Sequence, residues 1–204
     1  RASIIEWVMY MVLSLFRNFG PMVRVKKNFS VELHESLADK KVLIIGKGSI
    51  GTKIAIPCKA FGMDVDFYKR GDNLKRKSKD ADIIINSLNC NSSSKNLLDE
   101  KFFMSLKKGA YYVTFVRQYT YDLEGLLKAI NKGIVAGAGI DCDPESFGDT
   151  KNKLYRMALS NPKVLVTPHV AWSTKQAVVS GGEIAIQNIE KYIAGKPQNI
   201  LTKE

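Results

Sequence analysis

The segment Gly46-Lys47-Gly48-Ser49-Ile50-Gly51 follows the apolar run Val42-Leu43-Ile44-Ile45 and leads into a helix-compatible stretch. Three glycines at this spacing, with a buried strand before them and a helix after, admit few folds. The first glycine lets the chain turn sharply, the second lets backbone approach a ligand, and the third lets helix pack on strand. The helix N-terminus then offers unpaired N–H groups and a partial positive charge, which suit the phosphates of a dinucleotide. Gly46, Gly48, Ser49, Ile50 and Gly51 are therefore expected to hold a pyrophosphate.

From residue 41 onward, apolar runs alternate with helical patterns, the signature of repeated β-α-β units and a parallel sheet. The expected strands are Lys41 to Ile45, Asp64 to Tyr68, Ile83 to Ser87, Ala110 to Phe115, Ile134 to Ile140 and Lys163 to Thr167. Helices are expected near Ile50 to Phe61, Glu100 to Ser105, Leu123 to Asn131 and Leu154 to Ser160, with Pro57 bending or breaking the first. Two more helices, Ser3 to Phe16 and Gln176 to Ala194, flank this unit. Arg17 to Asp39, with Gly20-Pro21 and no clear period, reads as an extended connector. The fold class is α/β, a Rossmann-type doubly wound parallel sheet with flanking helices. The divisions are 1–39, an interface helix and connector arm, 40–175, the dinucleotide-binding domain, and 176–204, a C-terminal helix.

The 204 residues suffice for one good core. Cys58, Cys90 and Cys142 are widely separated, which argues against both a zinc site and a disulfide framework, so no metal is expected and a reducing, cytoplasmic compartment fits. The apolar stretch Ile4 to Phe16 is too short to span a bilayer, carries Glu6 and lacks a small-residue cleavage site, so neither a membrane span nor a signal peptide is read. A net charge of +11 admits a nucleic-acid partner. However, the basic clusters are short, no recognition motif accompanies them, and the densest, Lys69 to Lys79, follows the second strand, where a cofactor's ribose would lie. No nucleic-acid partner is expected.

Several blocks, in order along nearly the whole chain, resemble the D-isomer-specific 2-hydroxyacid dehydrogenases, the family of glycerate dehydrogenase and hydroxypyruvate and glyoxylate reductases. Besides the glycine turn they are Ala81-Asp82-Ile83-Ile84, Leu97 to Phe103, Lys107 to Tyr111, Val113 to Arg117, Ala136-Gly137-Ala138-Gly139-Ile140-Asp141 and Thr167-Pro168-His169-Val170-Ala171-Trp172. The resemblance implies a hydride-transferring oxidoreductase acting on a small 2-oxo or D-2-hydroxy acid such as glyoxylate, hydroxypyruvate or D-glycerate.

By that resemblance His169 is the acid/base, and independent chemistry agrees, because reducing a ketone needs a proton donor titrating near neutral pH. The other histidine, His34, reads as a solvated surface residue. Arg117 matches the arginine that clamps the substrate carboxylate, a task suited to a planar fork of permanent charge. Gln118 stands where the family usually has glycine. The carboxylate that orients the histidine is expected to be Glu145, one residue earlier than the family spacing, with Asp143 as the other candidate. Asp141 matches a residue near the nicotinamide carboxamide, although a buried aspartate at a strand end could equally cap the next turn. Leu88, Thr114 and Phe115 should line the cofactor groove, and Trp172 the substrate pocket.

An NAD site places an acid at the end of the second strand to bind the ribose hydroxyls. Here that strand ends Phe67-Tyr68-Lys69-Arg70. Two cations in the acid's place would attract a 2′-phosphate, so NAD(P) is expected with NADPH favoured over NADH, unless Asp72 reaches the ribose instead. The resemblance also implies that most of a second, substrate domain is missing before Arg1. Trp7, Met9, Tyr10, Met11, Leu13 and Phe16 offer more apolar surface than one packing face needs, so a homodimer is expected. The rival reading is a catalytically weak dinucleotide-sensing scaffold on the same fold.

Overall fold

The computed structural model describes residues 2–23, 33–143, 149 and 151–200. Six strands form one sheet: β1 (Lys41–Ile45), β2 (Asp64–Tyr68), β3 (Ile83–Asn86), β4 (Ala110–Thr114), β5 (Val135–Asp141) and β6 (Val164–Thr167). Every pairing is parallel and the spatial order is β2-β1-β3-β4-β5-β6. Residues of β1, β3, β4 and β5 are buried on both faces, which explains their continuous apolar runs. The order reverses between β1 and β3, and a crevice must open outside their carboxyl ends.

Alternate side chains leave opposite faces of the sheet. Val42 and Ile44 pack with helices α1 (Ala2–Phe16) and α3 (Gly51–Ala60), whereas Leu43 and Ile45 join the core under α5 (Glu100–Met104), α6 (Leu123–Asn131) and α7 (Lys153–Ser160). Helix α1 lies close on β4 and β5 because β5 carries glycine where the two meet. A Cβ on Gly139 would sit 2.9 Å from that of Met11. Burial of Val8, Met11, Val12 and Leu15 in this contact is worth about 2 kcal/mol per side chain. Consequently Met9, Met11 and Phe16 are consumed by the chain's own core, Trp7 and Leu13 are half-buried, and Tyr10 stays exposed. The apolar surplus expected of this helix is mostly absent.

Other expectations change too. The connector is not wholly extended, since α2 (Phe19–Met22) forms around Gly20-Pro21. Helix α3 runs through Pro57 without a break, because the proline falls on its solvent side near its end and removes one bond. A short helix, α4 (Leu74–Ser78), follows β2, started by Asn73, whose Oδ1 accepts from the Arg76 amide at 2.9 Å. Helix α8 (Lys175–Ile193) closes the described chain with no buried residue. Among the described residues no helix is long and apolar enough to cross a membrane. No group of three or more His, Cys, Asp or Glu there could hold a metal.

Candidate active site

The glycine turn sits at the reversal point. Gly46 has φ +111°, a conformation that side chains rarely adopt. A Cβ on Gly51 would lie 2.1 Å from the Gly46 carbonyl oxygen, so helix α3 can start here only with glycine. Gly48 differs, because a Cβ there would meet nothing within 4 Å. Its lack of a side chain leaves open space above the turn, where a ligand's backbone could approach. The amides of Ser49, Ile50 and Gly51 precede the helix's bonded turns, and the Thr52 amide donates to the Gly48 carbonyl at 3.0 Å.

Above this turn lies a cavity of about 510 Å³. Gly46, Lys47, Gly48, Tyr68, Lys69 and Arg70 form one wall. Residues after β3, among them Leu88, Asn89, Asn91 and Ser93, form the other. Its lining contains three cations and no carboxylate. Arg70 Nη2 donates to Ser93 Oγ at 2.9 Å across the mouth. Asp72 does not line it, since its Oδ2 accepts from the Lys69 amide at 2.8 Å and faces Lys77 Nζ at 3.9 Å. The cavity thus gathers Gly46, Gly48, Lys69, Arg70 and Leu88. Thr114, Phe115 and Asp141 lie elsewhere, at the carboxyl ends of β4 and β5. The Asn91 to Ser94 stretch was missed as a wall of the cavity, although an Asn ahead of serines signals the capped turn it forms.

At the carboxyl ends of β4 and β6 two turns carry Arg117 and His169, the side chains expected to act on a substrate. Arg117 follows β4 on an exposed turn whose carbonyl accepts from the Thr120 amide and hydroxyl, both at 3.1 Å. Thr120 Oγ1 also accepts from the buried Asn86 side chain at 3.0 Å, and Asn86 donates to the Tyr112 hydroxyl as well. Burial pushes the Tyr112 phenol up, so it stays neutral in that network. Asp143 Oδ2 accepts from the Gln118 amide at 3.0 Å, and its buried Oδ1 has no partner. Gln118 therefore fixes this turn by its backbone.

His169 follows β6 with φ +54° and is half-buried, its Nδ1 buried without a partner. Asp141 lies beneath it, 2 % exposed, and accepts from Thr167 Oγ1 at 2.6 Å and from the Val170 and Ala171 amides at 2.8 Å each. These contacts tie Asp141 to the turn after β6 rather than to the one that follows it in the chain. Asp143 engages the Gln118 amide through Oδ2 alone and does not bond His169 Nδ1, and Glu145 lies outside the described residues. Trp172 is 48 % exposed. His34 is half-buried rather than solvated, beside Tyr111 and Lys163 at the opposite end of the sheet.

A doubly wound parallel sheet with a glycine turn and an open cleft at its reversal point defines a dinucleotide-binding domain. The chain belongs to the D-isomer specific 2-hydroxyacid dehydrogenase family, residues 9–171 matching its NAD binding domain. It is 30% identical over 170 residues to a glycerate dehydrogenase of Methylorubrum extorquens, an alignment spanning 81% of this chain and 54% of that protein. It is also 30% identical over 203 residues to a D-lactate dehydrogenase of Streptococcus pyogenes, spanning 86% of this chain and 61% of that one. The chain thus spans little more than half the length of these relatives. The NAD-complexed D-isomer specific 2-hydroxyacid dehydrogenase from Lactobacillus delbrueckii ssp. bulgaricus has the same architecture, with a TM-score of 0.89 at 25% identity, covering 98% of this chain and 69% of that one.

Proposed function

We propose that this chain is the cofactor-binding part of an oxidoreductase that interconverts a 2-oxo acid and its D-2-hydroxy acid. The observation that carries the reading is the open space over Gly48 at the head of α3, in a cleft with a cationic rim, at the same carboxyl end of the sheet as the His169 and Arg117 turns. A bound nicotinamide supplies the hydride. The amides of Ser49, Ile50 and Gly51 hold the pyrophosphate, aided by the helix dipole. Arg117 pairs with the substrate carboxylate, and His169 gives its proton to the carbonyl oxygen during reduction and takes it back during oxidation. Glu145 is the acid proposed to orient the imidazole, Asp141 holds the turn from below, and Leu88, Thr114 and Phe115 border the nicotinamide end of the groove.

NADPH is proposed over NADH, because Lys69 and Arg70 rim a cleft whose lining has no acid, and Asp72 is tied to the Lys69 amide. Glyoxylate, hydroxypyruvate and D-glycerate are the proposed substrates. A homodimer is proposed on the exposed Tyr10, Phe19 and Val23 of the N-terminal arm. Helix α8, with no buried residue and with Val178, Ile186 and Ile189 more than half exposed, is proposed to return toward a substrate domain.

One observation favours the dinucleotide-sensing scaffold instead: His169 Nδ1 is buried without a partner. Steady-state reduction of a panel of 2-oxo acids with each cofactor separates the two readings. Turnover that His169→Gln abolishes supports the oxidoreductase. Tight cofactor binding with no turnover supports the scaffold.

A further inference from the structure

Three donors converge on the buried carboxylate of Asp141, and they bracket His169. Thr167 lies ahead of it and the amides of Val170 and Ala171 follow it. His169 holds a left-handed φ, which costs a non-glycine residue of order 1 kcal/mol and persists only where the surroundings enforce it. The enforcement extends beyond Asp141. Trp7 Nε1, on α1, donates to Thr167 Oγ1 at 3.1 Å. An indole N–H can only donate, so the Thr167 hydroxyl must accept from Trp7 and direct its own proton to Asp141. One orientation satisfies the whole chain of bonds, and such a chain strengthens each of its members. Helix α1, seated on the sheet by the Met11 contact at Gly139, therefore presents Trp7 from a fixed position.

We propose that Trp7 and Thr167, acting through Asp141, are positioning residues for His169. As a statement about catalysis, this rests on reading His169 as the acid/base. None of the three touches the reacting atoms. They hold the turn in its left-handed form, so a displacement of α1 is felt at the imidazole.

The test uses the full chain carrying Thr167→Val, which keeps shape but loses the hydroxyl, Thr167→Ser, which restores it, and Trp7→Phe, which keeps the ring but loses the N–H. Imidazole ¹H–¹⁵N spectra give one readout, with His34 as internal control. Amide exchange at Val170 and Ala171 gives a second, and kcat against KM a third. In Thr167→Val and Trp7→Phe the His169 resonances are expected to shift or broaden while those of His34 stay. Exchange at both amides should rise about tenfold or more in Thr167→Val. In the same variant kcat should fall about tenfold, and about threefold in Trp7→Phe, with cofactor affinity unchanged and Thr167→Ser close to wild type. Unaltered His169 resonances and amide exchange in both variants, or a serine variant no better than valine, would overturn the proposal. If the wild-type chain reduces no 2-oxo acid, the functional reading fails, yet the spectra and exchange still decide whether these residues position His169.

Discussion

Arg70 reaches across the mouth of the nucleotide cleft to Ser93, its Nη2 donating to the serine Oγ at 2.9 Å. The bond spans from the end of β2 to the turn after β3 and holds the guanidinium over the place where a ribose would lie. Charge-assisted bonds of this kind contribute about 1.5–3 kcal/mol. Arg70→Gln is expected to weaken NADPH binding about 10- to 100-fold and to leave NADH binding within about twofold. Ser93→Ala should weaken NADPH by a smaller factor, since it frees the guanidinium without removing its charge. Titration calorimetry with both nucleotides checks this, and equal losses for the two would refute the assignment.

Cys90 is exposed between Asn89 and Asn91, both of which line the cleft. Cys58 and Cys142 are buried, and burial pushes each thiol up to about 11, with Asp141 and Asp143 adding to the effect at Cys142. Only a thiolate attacks a disulfide reagent. At pH 8 one thiol should therefore react fast and the other two only on unfolding, and saturating dinucleotide should slow the fast one. Two fast thiols in the folded protein would contradict the burial.

The bounds of β1 were legible because a doubly buried parallel strand must read as an unbroken apolar run. Helix α4 was not, because Leu74 to Ser78 shows no apolar period and depends on the Asn73 cap. The site divides likewise. The glycine turn declares itself by spacing, whereas Asp141 could be read two ways, since a sequence does not say which donors converge on a carboxylate. The Trp7 bond to Thr167 joins residues 160 positions apart and leaves no local trace. How much of α1 the chain's own sheet would cover was hidden for the same reason: the room for Met11 is created by Gly139 on a distant strand.

Asp82, at the foot of β3, ties two strands together. Its Oδ2 accepts from the Lys41 amide at 2.8 Å and its Oδ1 meets Lys107 Nζ at 2.5 Å. Burial alone would raise its pKa, but the Lys107 ammonium and the Lys41 amide outweigh it and hold the carboxyl below the ordinary range. A carboxyl whose folded pKa lies below its unfolded one stabilises above the unfolded value, about pH 4, and loses that contribution as pH falls through the folded value. Asp82→Asn should therefore cost about 1 kcal/mol at pH 7 and progressively less as pH falls below about 4. Urea unfolding across that range gives the difference, and a cost independent of pH would rule out the ionic contribution.

Gly48 and Gly51 belong to one motif but face different constraints. An added Cβ at Gly51 would collide with the Gly46 carbonyl oxygen at 2.1 Å, a backbone atom that cannot swing away, so the strand-to-helix turn would have to open. Overpacking of this kind costs about 3 kcal/mol, which in a chain of this size lowers Tm by roughly 10 °C. At Gly48 the same methyl meets nothing within 4 Å, and stability should change by less than about 0.5 kcal/mol. The methyl would instead occupy the space over the helix N-terminus that a pyrophosphate needs. Gly48→Ala should therefore keep its Tm and lose about tenfold or more in affinity for NADPH and NADH alike, whereas Gly51→Ala should lose stability first. Thermal unfolding and calorimetry on the two variants separate these effects. If Gly48→Ala bound dinucleotide as tightly as the native chain, the phosphates would have to lie elsewhere, because no protein contact explains a glycine at that position.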